Sequence, residues 1–266
     1  MAQRREWREV AYWFDENQGD GGDLWHRTII FPGILSAIGE VTGLHVLDVG
    51  CGNGSLARIL ARRGNRVTGL DSSAPIIELA KAREASSPLG IEYHACDAAR
   101  LQMVADNAFD LVLSCMALMD MPAAADAIKE MARVVKRTGR CVILISHPCF
   151  DVPGASSWLI EREPPHVREW SRRVRRYREV FDTWWRWSSD SPLELHTYHR
   201  PLSWYFGAIR AAGLAVTMLD EPRPTPEFLE KEREGVAIAE FPMHLVIEAR
   251  QGYPRLDPRV PFVPPY

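Results

Sequence analysis

Three aspartates in the first hundred residues, Asp48, Asp71 and Asp97, lie at or just after the ends of short strand-like runs. A carboxylate in that position accepts hydrogen bonds from a neutral diol or amine without a competing cation. A glycine-rich segment, Gly50-Cys51-Gly52-Asn53-Gly54, separates the first two aspartates. Glycine lets the backbone turn tightly and a ligand approach, and a helix that starts there presents unpaired N–H groups to a carboxylate. These residue types predict a site for a small polar ligand.

Alternating strands and helices must position these residues. Between residues 44 and 145, short β-branched or leucine-rich runs alternate with helical runs, which is typical of βαβ units and a parallel sheet. The predicted strands cover residues 45–49, 66–70, 91–95, 109–115 and 140–146. The predicted helices cover residues 54–63, 74–84 and 123–135, with a break at Thr138-Gly139 after the last. Ligands bind at the carboxyl ends of such strands, so we expect the three aspartates at one edge of the sheet.

The later part of the chain is predicted to complete the same sheet. A helical run at 202–212 precedes strand-like runs at 214–219 and 244–249, which brings the predicted sheet to seven strands. The predicted fold is α/β, a Rossmann-like, doubly wound, mostly parallel seven-stranded sheet with an inserted cap. The predicted regions are leader helices that close over the ligand (1–40), a binding core (41–148), a cap rich in aromatic residues and arginine (149–200), the remainder of the core (201–251) and an extended proline-rich tail (252–266).

The glycine-rich segment carries a family resemblance. The run Val46-Leu47-Asp48-Val49-Gly50-Cys51-Gly52-Asn53-Gly54-Ser55-Leu56-Ala57 resembles the first motif of class I S-adenosylmethionine-dependent methyltransferases, in particular the small-molecule, type 11-like enzymes. Asp71 at the end of the second strand, Asp97 in Cys96-Asp97-Ala98 and the segment 109–114 extend the likeness. It covers roughly residues 40–150, with weaker support to residue 250.

The resemblance implies S-adenosylmethionine as the cofactor and gives roles to single residues. Asp48 and the backbone around Gly50 and Gly52 would hold the methionine moiety. Asp71 would bind the two ribose hydroxyls, and Asp97 would bind the adenine amino group. No metal site is predicted.

Further cofactor contacts are expected from the fourth strand and from the leader. Ser114 to Met116 are placed to line the methyl-transfer site, and Tyr12 and Arg27 in the leader are placed to touch the methionine carboxylate. The complete predicted cofactor-binding set is Asp48, Gly50, Cys51, Gly52, Asn53, Gly54, Asp71, Ser72, Asp97, Ala98, Ser114, Cys115, Met116, Tyr12 and Arg27.

The implied reaction is transfer of a methyl group to oxygen, nitrogen or carbon of a small-molecule acceptor. A sulfonium is already an activated donor, so the protein must mainly position the reactants, a term worth up to ~7–11 kcal/mol. A general base helps when the acceptor is a hydroxyl or a protonated amine, and histidine is the most apt residue. His147, after the fifth strand, and His199, before the next core helix, are the predicted catalytic residues.

The cap has an unusual composition. Six of the nine tryptophans lie between residues 158 and 204, and such aromatic surface can enclose an acceptor, although packing onto the sheet explains most of these rings. Six arginines between residues 168 and 178 could meet an anion. Because Glu169 and Glu179 are interspersed with them, we interpret this run as a solvated helical face.

Two other functions are compatible with parts of this pattern. A NAD(P)-dependent oxidoreductase also uses a glycine turn and an acid on the second strand, but its fingerprint requires glycine or alanine where this chain has Ser55, and it does not explain Asp97. A protein that binds S-adenosylmethionine without transferring its methyl group would share the whole cofactor site.

The composition of the chain limits which binding partners and which cellular location are expected. The formal net charge of -3 gives no global field for a polyanion, so nucleic acid is not the expected substrate. The five cysteines include no Cys-x-x-Cys pair, and the charged N-terminus has no signal-like apolar run. No run is apolar enough for a membrane span. We therefore expect a cytoplasmic protein without a membrane partner, whose oligomeric state the sequence does not specify.

Overall fold

The computed structural model describes residues 3–163, 167–186, 191, 193–232 and 235–252 of the chain. In these residues the strands are β1 (Gln3–Arg5), β2 (His45–Val49), β3 (Arg66–Asp71), β4 (Glu92–Ala95), β5 (Phe109–Cys115), β6 (Val135–Ser146), β7 (Ser156–Glu163), β8 (Val167–Val174), β9 (Phe181–Arg186), β10 (Leu193–His199), β11 (Leu214–Asp220) and β12 (His244–Gln251). The α-helices are α1 (Ala11–Gln18), α2 (Phe31–Ile38), α3 (Ser55–Arg62), α4 (Ala74–Ser86), α5 (Ala124–Val134), α6 (Leu202–Ala211), α7 (Pro226–Lys231) and α8 (Gly235–Glu240).

A seven-stranded sheet ordered β11-β12-β6-β5-β2-β3-β4 forms the centre of the molecule. Strands β2 to β6 run parallel, whereas β12 is antiparallel to both β6 and β11. Successive residues of one strand pack on opposite faces: Leu47 contributes to the cluster that includes α5 and α6, and Val46 to the cluster that includes α2, α3 and α4. Burial of both faces explains the near-continuous apolar strands. The predicted Rossmann-like α/β fold with a mostly parallel seven-stranded sheet is confirmed.

Strand β6 differs from its predicted bounds. The predicted break at Thr138-Gly139 is wrong, because the strand begins at Val135, directly after α5. Val135 pairs with Phe109 and Arg140 with Leu111, so the extra residues between them form an irregularity in the ladder. Gly139 fits there because a Cβ would lie only 2.6 Å from the Asp110 carbonyl oxygen. A glycine next to a threonine therefore marks a bulge within a strand rather than its beginning.

The leader packs onto the sheet and onto the glycine turn. After a 3-10 helix (Trp7–Glu9) and α1, a π-helical turn (His26–Ile30) leads directly into α2. The Asn53 side chain donates to Asp15 Oδ1 (2.9 Å) and to the Gly19 carbonyl (3.0 Å). The leader is therefore fixed to the turn between β2 and α3. No helix among the described residues has the length and apolar character needed to cross a bilayer.

The cap consists of β-hairpins. Strands β7 and β8 pair antiparallel, and β9 pairs with β10, whose other edge is covered by the parallel β1. The predicted helical face of arginines is wrong, because residues 167–174 form β8. Pairing with β7 imposes a two-residue period on the side chains, so Arg172 is buried over the Trp158 ring, 4.6 Å from its centroid. Trp187 and residues 253–266 of the predicted tail lie outside the described residues.

Candidate functional site

A cavity of about 710 Å³ opens at the carboxyl ends of the parallel strands. Asp48 of β2, Asp71 of β3 and Asp97 after β4 lie in its wall, as do residues of the leader and the cap. This is the edge at which ligands bind in open α/β sheets, and the volume is within the ~300–1,000 Å³ range of small-molecule sites. The three predicted aspartates therefore do meet around one cavity.

The turn between β2 and α3 forms one side of the cavity. The Gly50 and Cys51 N–H groups both donate to the Leu70 carbonyl, at 2.7 and 2.9 Å, which holds the turn against the end of β3. Gly50 has φ +76°, and a Cβ there would lie 2.3 Å from the Ala117 Cβ. Both the backbone conformation and the packing therefore require glycine at this position.

Gly54 has a structural position rather than the predicted cofactor contact. It is absent from the cavity wall and lies against the Tyr93 ring, with φ +83°. A Cβ at Gly54 would lie 2.2 Å from the Tyr93 hydroxyl oxygen. The regular spacing of the glycines, at every second residue, conceals this difference in position.

We expect Gly54→Ala to lower the free energy of unfolding by ~2–4 kcal/mol, because it adds overpacking against Tyr93 to the cost of a left-handed alanine. Urea unfolding measures this loss. Gly90→Ala is the matched control, since Gly90 has φ +78° and nothing within 4 Å of the added Cβ. An equal loss in the two variants would show that the contact with Tyr93 has no effect.

Asp71 is oriented by the backbone of two segments. Its Oδ2 accepts the Gly52 N–H (3.1 Å) and its Oδ1 accepts the Ser73 N–H (2.9 Å). Burial raises the pKa of Asp71, although these backbone hydrogen bonds oppose the shift. Each carboxylate oxygen has a further lone pair, so the carboxylate can still accept hydrogen bonds from a ligand in the cavity.

Asp48 is the most deeply buried acid of the site, with 1% of the residue exposed. Its Oδ2 has no hydrogen-bond partner among the described residues. Burial, together with the charge of Asp71, raises the pKa of Asp48 to about 7. An unpartnered buried carboxyl oxygen is costly, so its position in the wall suits a ligand group that donates a hydrogen bond or carries positive charge.

Asp97 lies at the exposed rim of the cavity, next to the buried Ala98. Its Oδ1 accepts the Ala99 N–H at 2.9 Å, which fixes the loop after β4. The pair combines a polar acceptor with an apolar surface, as a flat heterocycle with an exocyclic amine requires.

Residues 47–143 match the protein family described as "Methyltransferase domain". The match begins inside β2 and ends inside β6, so the segment that is similar to a methyltransferase domain contains the glycine turn and all three aspartates.

The known proteins similar to this chain agree with that assignment. The crystal structure of an S-adenosylmethionine-dependent methyltransferase from Mesorhizobium loti is 26% identical, covers 83% of this chain and 96% of its own, and has a TM-score of 0.67. An Alkalilimnicola ehrlichii protein named ubiquinone biosynthesis O-methyltransferase is 30% identical over 53% of this chain and 59% of its own length. A Renibacterium salmoninarum protein named demethylmenaquinone methyltransferase is 35% identical over 47% and 49%. The chain spans about half the length of the curated relatives it matches. The predicted resemblance, and S-adenosylmethionine as the cofactor, are confirmed.

Most of the predicted cofactor-binding residues line the cavity. These are Asp48, Gly50, Cys51, Gly52, Asn53, Asp71, Ser72, Asp97, Ala98, Cys115 and Met116. Besides Gly54, three do not. Ser114 is fully buried within β5 because strand residues alternate between faces, whereas Tyr12 is 74% exposed on α1. Arg27 bonds instead to the Gly22 carbonyl (3.1 Å) and Glu227 (3.5 Å).

The two predicted catalytic histidines are not in the wall of this cavity. His147 faces Glu221 (Nε2 to Oε1, 3.0 Å), and its Nδ1 accepts the Cys149 N–H. His199 bonds through Nε2 to the Tyr177 carbonyl (2.8 Å) and lines only a smaller neighbouring cavity of about 210 Å³. Both side chains are therefore committed to protein partners outside this cavity.

The histidines that do line the larger cavity are His26 of the leader and His244 at the start of β12. Neither residue is among the catalytic histidines that the sequence predicts. The Asp23-x-x-His26 spacing, which places the aspartate before the start of a helical turn, is the one local signal that could have identified the first. Nothing local signals that this turn lies over the sheet edge.

Proposed function

We propose that this chain transfers the methyl group of S-adenosylmethionine to a small-molecule acceptor. The observation that carries the proposal is that Asp48, Asp71 and Asp97, on three adjacent strand ends, share one cavity with the glycine turn. Bound cofactor supplies an activated methyl group on a sulfonium sulfur. The protein supplies binding, orientation and exclusion of water.

The donor set of the site fits this cofactor. Asp48 offers a buried, unpartnered carboxyl oxygen to the cationic methionine end, and Asp71, held by Gly52 and Ser73, accepts the ribose hydroxyls. Asp97 accepts the adenine amino group beside Ala98. Cys115 and Met116, at the end of β5, lie next to the transferred methyl. Met116 has φ +53°, a strained conformation that fixes its side chain at this point.

The acceptor occupies the part of the cavity beyond β5. Its wall there is apolar and aromatic, and is built by residues of the leader, the cap and the sheet edge: Trp7, Trp25, Met119, Trp185 and Met243. Such a wall binds a flat apolar molecule and removes water from the reacting groups. The relatives named for ubiquinone biosynthesis and for demethylmenaquinone support an aromatic acceptor of this kind. A cytoplasmic location, and a small molecule rather than nucleic acid as the acceptor, stay predictions.

Titration calorimetry with S-adenosylmethionine, S-adenosylhomocysteine, NADH and NADPH tests the cofactor half of the proposal without an acceptor. We expect the two adenosyl sulfur compounds to bind and the two dinucleotides not to bind. Binding of a dinucleotide alone would contradict the proposal and favour an oxidoreductase. Cofactor binding without transfer to any acceptor in a broad panel would favour the non-catalytic binding protein.

A further inference from the structure

A histidine–carboxylate pair lies in the leader wall of the larger cavity. His26 Nδ1 and Asp23 Oδ1 are 2.8 Å apart, and both residues line the cavity. The two side chains are 13% and 18% exposed, so the pair is shielded from bulk solvent without being sealed away from the cavity. The function proposed above makes no use of this pair.

The orientation of the imidazole is fixed by its surroundings. Asp23 Oδ1 also accepts the backbone N–H of His26 (2.9 Å), and Gln18 Oε1 accepts the Asp23 N–H (3.2 Å). Gln18 Nε2 lies 3.2 Å from His26 Nδ1. The Phe31 ring packs 5.3 Å from the imidazole centroid. Gly22 leaves room for the ring, since a Cβ there would lie 2.5 Å from the His26 Cβ.

The carboxylate determines the tautomer of His26. An ionised carboxylate oxygen 2.8 Å from Nδ1 favours a proton there more strongly than the Gln18 amide at 3.2 Å favours a lone pair, so the proton-accepting lone pair is placed on Nε2. Burial opposes ionisation of Asp23, but the hydrogen bond to His26 and the charge of His26 outweigh it and lower the pKa of Asp23. Asp23 therefore stays ionised and can balance an imidazolium charge.

The pair of His26 and Asp23 lies at a different part of the sheet edge from the three aspartates assigned to the cofactor. His244, which pairs with Ser146 at the end of β6, lies beside the leader, and its ring is 5.7 Å from the Trp25 ring. Both β12 and β6 lie on the side of β5 opposite to β2, β3 and β4. The end of β5 thus lies between the aspartates and His26, and a molecule bound there meets the methyl group on one side and the imidazole on the other.

His244 itself is unsuited to proton transfer. Burial lowers its pKa to about 3, and its Nδ1 has no hydrogen-bond partner in the part of the chain that the structure describes. In the part of the chain that the structure describes, the charged or titratable groups around His26 include Asp23 and Arg27 of the leader and His244 of β12. Asp23 is the acid among them that contacts the ring.

Resting on the proposed function, we propose that His26 is the general base of the reaction, positioned by Asp23, and that the acceptor is a hydroxyl compound of the phenol class. The acceptor O–H bond breaks and its proton moves to His26 Nε2. An oxygen electron pair forms the O–CH₃ bond, and the electron pair of the broken S–CH₃ bond stays on sulfur. Asp23 offsets the imidazolium charge until the proton leaves to solvent.

The test uses 4-methylcatechol and 4-methylbenzylamine as acceptors, with methyl-labelled S-adenosylmethionine, in wild type, His26→Gln, Asp23→Asn and the control His94→Gln. His94 lies on β4 outside the cavity wall. We expect wild type to methylate the catechol, and His26→Gln to lose about 100-fold or more in kcat at pH 7. Asp23→Asn should lose less, and His94→Gln should match wild type.

Three readouts separate a base from a structural residue. The kcat of His26→Gln should recover as the pH rises and the catechol ionises. The affinity of His26→Gln for S-adenosylmethionine, measured by calorimetry, should stay within about threefold of wild type. In wild type, ¹⁵N NMR should show the Nδ1–H tautomer of His26, and Asp23→Asn should remove it. A wild-type Nε2–H tautomer, an unchanged kcat in His26→Gln, or transfer to the amine but not the catechol would overturn the inference. Absence of S-adenosylmethionine binding in wild type would instead overturn the proposed function.

Discussion

Replacement of Asp71 by asparagine should weaken S-adenosylmethionine binding by about 10- to 100-fold, or ~1–3 kcal/mol. Asparagine keeps the size of the side chain and one carbonyl oxygen. The other oxygen becomes an NH₂ donor, which faces the N–H of either Gly52 or Ser73, because these two groups donate to different oxygens of Asp71. One backbone hydrogen bond is therefore lost in either orientation, and the NH₂ group can no longer accept a hydrogen bond from a ribose hydroxyl.

Calorimetry of Asp71→Asn measures this effect, and Asp110→Asn is its control. Asp110 lies at the start of β5, at the opposite edge of the same sheet, where it accepts hydrogen bonds from Lys136 (2.7 Å) and the His45 N–H (3.0 Å). Its replacement should leave the affinity unchanged. Equal affinities in wild type and Asp71→Asn would remove Asp71 from the ribose site.

Replacement of Asp48 by asparagine should stabilise the ligand-free protein at pH 8 by ~1 kcal/mol or more, while weakening cofactor binding. Burial and the charge of Asp71 raise the pKa of Asp48 to about 7, from 3.8 in the unfolded chain. The folded state therefore binds the proton more tightly. The stability that this proton supplies is complete below about pH 4 and is lost as pH rises through about 7.

Asparagine cannot ionise, so its advantage over Asp48 should grow between about pH 4 and pH 7 and then level off. Urea unfolding at a series of pH values measures this difference. Asp110→Asn should show no such gain, because the hydrogen bond and charge of Lys136 hold the pKa of Asp110 below its usual value. A gain for Asp48→Asn that does not depend on pH would mean that burial of its charge is not the cause.

The parallel core could be predicted from the sequence because its signals are local. Each strand of the core carries its own apolar run, and the glycine turn and the aspartates occur at strand ends that topology brings together. The positions of single side chains within these elements were harder to predict. Gly54 and Ser114 belong to the expected segments but point away from the cavity, since the face that a residue presents depends on tertiary packing.

The cap and the acceptor side could not be predicted in the same way. In the sequence, the residues of β8 have the pattern of a charged helix face. Pairing with β7 instead holds them in a strand, in which successive side chains point to opposite sides. His147 and His199 have sequence neighbours typical of a site, but His147 faces Glu221 after β11, and His199 bonds to the Tyr177 carbonyl in the cap. His26 is in the wall only because the leader folds back over β6 and β12, a contact between segments more than a hundred residues apart.

The pairing of β1 with β10 also constrains the order in which the molecule folds. Gln3 pairs with Leu193, so this contact joins residues 190 positions apart (193 − 3), whereas β2 and β3 are joined by a single helix. Loop closure and folding rate both disfavour such distant pairings early in folding. On the ribosome, β1 is synthesised long before β10 and must wait for it before the two strands can pair. The cofactor turn should therefore acquire its structure before β1 is added to the sheet of the cap.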